Sequence, residues 1–186
     1  LGGAALLTGE TIFNGNAEFI NNEARANYFA QGGALAVDSL SMTGVEPNIV
    51  AFNDGFTFAA NKTILADVET PNDIDLSTFS GLSGSTGDVE MHLAGGKDTV
   101  GSFEGGISGS IDENDPTIKP MIIKSGEGTV ILGDNSVNDN YQGYYLQTDG
   151  TMISSSDVFF NGMDSNGVLG GELKTHGGDI NHSVIV

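Results

Sequence analysis

Apolar and polar residues alternate along this chain in runs of only a few positions, and Gly, Asn, Asp or Ser ends each run. Runs of period two bounded by turn formers predict strands. The pattern places them near 12–13, 18–20, 34–37, 49–52, 56–59 and 63–66. More are expected near 89–93, 118–124, 129–132, 144–148, 151–154, 158–160, 172–174 and 184–186. So many short strands leave a sandwich, a barrel or a solenoid. Helical periodicity is nearly absent; its best candidate is residues 21–31, a turn or two closed off by Gly32-Gly33.

Repetition selects the solenoid. Gly2-Gly3-Ala4 returns as Gly32-Gly33-Ala34, and Phe-x-x-Asn occurs as Phe13 with Asn16, Phe19 with Asn22 and Phe58 with Asn61. Periods of a few tens of residues mark stacked repeats. In a stack of coils, equivalent residues lie about 4.8 Å apart, so a Phe in each coil meets a Phe above it. An Asn at the following corner tolerates left-handed backbone, and its amide can bond the next coil's. Gly-Gly-Ala suits a tight corner followed by a small residue entering a narrow core. The architectural expectations are therefore Phe13, Phe19 and Phe58 inward, Asn16, Asn22 and Asn61 at corners, and Gly3 and Gly33 at turns. Phe19→Ala is expected to cost about 3–5 kcal/mol by opening a cavity. Coils of roughly 20–25 residues would give about eight of them and a rod on the order of 40 Å.

Composition narrows the partners. Twenty-five acidic residues against six basic ones give a formal charge of −19, which repels nucleic acid and anionic lipid. No apolar run reaches membrane-helix length and no signal peptide is recognisable; the first residue already sits inside a repeat, so the chain reads as a segment of something longer. The absence of Cys says nothing alone; combined with secretion it would fit a bacterial surface protein that crosses an envelope unfolded.

Gly2-Gly3-Ala4-Ala5, Gly32-Gly33-Ala34-Leu35 and the three Phe-x-x-Asn units resemble the repeats of the chlamydial polymorphic membrane proteins, which are autotransporters. Residues 126–152 carry Gly126-x-Gly128-Thr129, Leu132-Gly133-x-Asn135, Tyr141-x-Gly143 and Gly150-Thr151-Met152, and are similar to the strand repeat of autotransporter passengers. The resemblance implies a right-handed parallel β-helix, displayed on a cell surface as a rod that serves adhesion or display. It divides the chain into coils with Gly-Gly-Ala and Phe-x-x-Asn repeats (1–66), an irregular Asp/Ser/Gly-rich stretch or insertion (67–117), and coils with the strand repeat (118–186).

Chemistry finds little support in the sequence. A polygalacturonase-type site would need elements of which residues 175–179, THGGD, are one poor echo. A lyase-type site would need carboxylates facing a base, and Arg25, the single arginine, has no acidic cluster with a claim to face it. Asp73 and Asp75 could do acid/base work at the right separation, as could many pairs on so acidic a chain. His92, His176 and His182 are too scattered for zinc. Ca²⁺ is the better candidate: Asp112, Glu113 and Asp115 put hard oxygen ligands in one loop, although a solvated acidic turn is the commoner outcome. Residues 93–103 faintly echo a calcium roll, with Lys97 where Gly is needed. Tyr141, Tyr144 and Tyr145 could form a sugar platform or line the core.

The sequence thus predicts an all-β, right-handed parallel β-helix segment of a surface-exposed or secreted bacterial protein, non-catalytic and serving adhesion or display. Its expected partners are the rest of a longer β-helix or copies of itself, with a host or neighbouring-cell protein or glycan as receptor and no nucleic acid. A self-assembling filament subunit is the first alternative, and a carbohydrate-active β-helix enzyme the second.

Overall fold

The computed structural model describes residues 2–28, 30–37, 47–77, 88–109, 120–133 and 141–154, with the backbone of strands Ser165–Val168, Glu172–Thr175 and Val184–Ile185. The chain winds through successive coils. The first carries β1 (Ala5–Leu7), β2 (Glu10–Phe13), β3 (Ala17–Ile20) and β4 (Glu23–Ala26). The second carries β5 (Leu35–Val37), β6 (Asn48–Phe52), β7 (Phe56–Ala59) and β8 (Lys62–Leu65), then folds β9 (Val68–Pro71) back against β8. Three-faced coils follow, with β10 (Ile74–Asp75), β11 (Val89–Leu93) and β12 (Val100–Phe103), then β13 (Ile107–Ser108), β14 (Met121–Lys124) and β15 (Thr129–Leu132). The remaining strands are β16 (Tyr144–Gln147), β17 (Thr151–Ser154), β18 (Ser165–Val168), β19 (Glu172–Thr175) and β20 (Val184–Ile185).

Equivalent strands stack into sheets. The first face is β1-β5-β10-β13, the second β2-β6-β11-β14-β16-β18-β20 and the third β3-β7-β12-β15-β17-β19, and every pairing within them is parallel. The fold is a right-handed parallel β-helix. The fourth face is short: β4 pairs with β8 in parallel, and β9 closes it in antiparallel. Among the described residues seven strands stack on the second face, and six spacings of about 4.8 Å make a sheet roughly 29 Å long.

The period is not constant. The step along the chain from Glu10 to its partner Ile49 is much longer than the steps from Met121 to Tyr144 and from Thr151 to Glu172 in the later coils. The spacing of the two Gly-Gly-Ala units is the register of the first face alone, where Ala5 pairs with Leu35. The link between β5 and β6 then lengthens the step on the other faces, so that Phe13 meets Phe52 and Phe19 meets Phe58.

Aromatic columns fill the wide early coils. Phe13 stacks on Phe52 at 5.1 Å between ring centroids, and Phe19, Phe58 and Phe103 form a second column at 4.7 and 5.0 Å. Aliphatic residues such as Leu93, Ile122 and Leu132 continue the core where the coils narrow. Inward residues alternate with outward ones along β11, β14, β16 and β17, the period of a one-sided strand.

The helical candidate at 21–31 is overturned. Glu23–Ala26 is strand β4, with Ala24 buried and the main chain paired to β8, so tertiary pairing overrides the helix preference of Glu-Ala-Arg-Ala. Among the described residues of 67–117 lie β9 to β13, and β10 to β13 join the same faces as the strands before and after them. The strand expected at 158–160 lies outside the described residues. Among the described residues no helix is long and apolar enough to cross a membrane.

Candidate functional site

The one departure from plain stacking among the described residues occurs where four-faced coils give way to three-faced ones. After Phe19 and after Phe58 the chain turns a corner through a left-handed residue, Asn21 (φ 58°) in one coil and Ala60 (φ 54°) in the next. The left-handed position therefore precedes the Asn of Phe-x-x-Asn. That Asn does a different job. Asn61 Oδ1 accepts hydrogen bonds from both the backbone N–H and the side-chain amide of Asn22, each 2.9 Å. Asn61 Nδ2 donates to Phe19 O and to Asp73 Oδ1, again at 2.9 Å each.

Asp73 is the next rung of this ladder and is fully buried. Its Oδ2 accepts the Gly105 N–H at 2.7 Å. Burial pushes its carboxyl up to about 6, with Glu104 adding to the rise, against the Asn61 and Gly105 hydrogen bonds, which favour the ionised form. A second buried chain runs beside it: Asn72 Nδ2 donates to Ser108 Oγ (3.0 Å), and Ser108 donates to Asp75 Oδ2 (2.5 Å). Asp75 Oδ1 takes the Ser77 N–H at 3.0 Å. Asp73 and Asp75 thus accept hydrogen bonds in two different buried chains.

The β8–β9 hairpin turns through Ala66 and Asp67, both at positive φ (48° and 65°), as a two-residue type I′ turn does. Its ion pairs hold it in place: Lys62 lies 2.9 Å from Glu69 and 3.9 Å from Glu23, and Arg25 bridges Glu23 at 2.9 Å and Asp67 at 3.3 Å. Between this hairpin and the Glu104-Gly105 corner of the coil below opens a cleft of about 180 Å³, lined by Ala60, Asn61, Lys62, Glu69, Pro71, Glu104 and Gly105. Glu104 is tied to the wall by accepting the Ala60 N–H at 3.1 Å. Asp73 lies behind the cleft and ties two of its walls together through Asn61 and Gly105.

The remaining sequence candidates lie elsewhere. Phe58 is fully buried, whereas Phe13 and Phe19, in the first coil, are half-buried. Asn16 is exposed and stacks on Gly55; the amide hydrogen bond of its corner is made instead by Asn53, whose Nδ2 donates to Asn14 Oδ1 at 2.8 Å. Gly3 donates to Gly32 O at 3.0 Å, and the two Gly-Gly-Ala corners lie against each other. A methyl group on Gly3 would collide with Gly33 O, and one on Gly33 with Asn72 O. Asp112, Glu113 and Asp115 lie outside the described residues, as do His176 and His182. Among the described residues no group of three or more His, Asp or Glu could hold a metal. His92 sits half-buried beside Glu90, 2.7 Å from its carboxylate. Tyr141 and Tyr145 are core residues, Tyr141 donating to Pro120 O and Tyr144 O at 3.1 and 2.9 Å, and only Tyr144 of the three reaches the surface in part.

Lys62, Glu69 and Glu104, which shape the cleft, carry no sequence motif. Only the hairpin and the coil-to-coil register bring them together. No protein family matches this chain, and no curated protein or solved structure matches it either.

Proposed function

We propose that this chain is a non-catalytic scaffold segment of a surface-displayed or secreted bacterial protein, serving adhesion or display, of the kind that autotransporter passengers form. The observation that carries the proposal is the stacking of motif on motif. Gly-Gly-Ala lies on Gly-Gly-Ala, Phe19 on Phe58 and Asn22 on Asn61, so the repeats serve the rod itself. The two buried carboxylates support the non-catalytic part of the proposal, because Asp73 and Asp75 are spent on hydrogen bonds inside the corner. A strongly acidic exterior suits an extended extracellular protein that must stay dispersed.

Beads coated with the purified chain, washed over animal-cell monolayers and over bacterial cells, test this role. Retention above that of beads carrying an unrelated acidic protein is expected. Background retention on every surface would contradict adhesion, and release of reducing or unsaturated ends from polysaccharides would contradict a non-catalytic role.

One observation favours a second reading, assembly with copies of itself. In the described residues the first coil's strands lie at one edge of each sheet, with Phe13 and Phe19 half-buried and Ile12 and Ile20 exposed, so the coil that pairs with them is either another part of the same protein or a second copy. Electron microscopy of the concentrated chain separates this from a lone rod: filaments favour assembly, and dispersed particles at all concentrations contradict it.

A further inference from the structure

The cleft at the coil step has a chemistry that the scaffold does not need. Lys62 is the cation in its lining, and it is neutralised by Glu69 and Glu23. Glu104 is different. Among the described residues no Lys, Arg or His lies within ion-pair distance of it, yet its carboxylate is held at the cleft wall by the Ala60 N–H. A second carboxylate, Asp73, lies directly behind Gly105 and adds negative potential from the buried side. The Ala60 methyl, the Pro71 ring and Gly105 supply an apolar lining. A cavity of about 180 Å³ has room for one long side chain.

A partly apolar cleft with the exposed Glu104 carboxylate in its wall, tied by the Ala60 N–H and without a cation beside it among the described residues, suits a methylene stem that ends in a cation. Arginine fits best, because a guanidinium makes directed, charge-assisted bonds to carboxylates and loses little hydration on entry. The net charge of −19 would draw a basic partner towards the rod before contact. We infer that the cleft between the β8–β9 hairpin and the Glu104-Gly105 corner is a receptor-contact site that takes an arginine side chain from a basic partner protein. The inference rests on the adhesion reading and names the chemistry of its receptor.

The test uses the full, isotope-labelled chain and two tripeptides, acetyl-Gly-Arg-Gly-amide and the same peptide with citrulline in place of arginine. The arginine peptide should shift the amide resonances of Lys62 and Gly105 saturably, and the citrulline peptide should not. Glu104→Gln should weaken the arginine peptide about tenfold while the other resonances stay in place, which shows that the variant is folded. Equal shifts from citrulline, shifts scattered over the acidic surface, no saturable shift, or an unaffected Glu104→Gln would each overturn the inference. So would a titration with monosaccharides that moves Lys62 and Gly105 when arginine does not. Bead retention measured in parallel keeps the two readings apart. Retention that is equal for wild type and Glu104→Gln removes this site and leaves adhesion standing, whereas loss of retention by the wild type itself removes adhesion.

Discussion

Phe19 lies on Phe58 with ring centroids 4.7 Å apart and planes only 15° from parallel, although the two belong to different coils and a whole turn of the helix separates them along the chain. The pair defines the register of the third face and shows how the coils are held. Phe58 is enclosed by Phe52 and Phe56 beside it, Phe19 on one side and Phe103 on the other. Phe19 belongs to the first coil and remains half-buried.

Truncation should therefore act unequally along the column. Phe58→Ala is expected to lose about 3–5 kcal/mol, and Phe19→Ala only about 1–2, below the value its sequence motif suggested. Urea unfolding monitored by circular dichroism measures both. Equal losses would mean that the first coil is as enclosed as the second.

The corners make a paired prediction. Ala60 occupies left-handed backbone that an L-residue with a Cβ resists, so Ala60→Gly should stabilise the chain by about 1 kcal/mol. Gly33→Ala should do the opposite and cost more than about 2 kcal/mol, because the added methyl meets main chain on two sides, Asn72 and Lys62. Thermal melts of the two variants give the answer, and a stable Gly33→Ala would contradict the close approach.

Asp73 makes stability depend on pH. Its folded-state carboxyl sits at about 6, above the ordinary 3.8, so folding binds its proton more tightly than the unfolded chain does. Between those values stability rises as pH falls. The group opposes folding most at neutral pH, on the order of 3 kcal/mol, and that opposition disappears below the unfolded value. Asp73→Asn should be less sensitive than wild type when unfolding is compared from pH 7 to pH 4. Identical slopes in both proteins would remove Asp73 from the account.

Lys124 is buried, with its ammonium donating to Gly126 O and to Asp149 O, the latter at 3.4 Å. Burial lowers its pKa, and the nearby Asp149 carboxylate partly restores it. Lys124→Met keeps the stem and strips the corner carbonyls of their donor, for an expected loss of about 1–3 kcal/mol in denaturant titration. A gain in stability would show that burying the charge costs more than its bonds return.

The parts that were legible from sequence are those in which local pattern and stacking agree. Phe58-x-x-Asn61 is visible because both residues repeat the needs of Phe19-x-x-Asn22 in the coil before. Phe52 and Phe103 stack equally well but were invisible to that motif, since Gly55 and Gly106 stand where Asn would. Strand β4 hid behind a helix-favouring sequence, β10 and β13 are two residues each, and β12 begins Val-Gly-Ser, which reads as a turn. The cleft left no sequence trace at all. Its hairpin turns on Ala66-Asp67 rather than an Asn-Gly, and Lys62, Glu69 and Glu104 become neighbours only when one coil is laid on the next.

The central claim is that the chain stacks coil on coil in parallel, in the register seen here. The natural chain has no Cys, so engineered pairs are free of background. Glu18 and Thr57 are direct Cα partners on the outer side of the third face, whereas Ala59 is two positions along from Thr57. Mild oxidation should close a disulfide in Glu18→Cys/Thr57→Cys, whose Cα atoms lie in the range a disulfide spans, and close little in Glu18→Cys/Ala59→Cys. Ready cross-linking of the offset pair, or none in the direct pair, would contradict the stacked register on which every other statement about the rod depends.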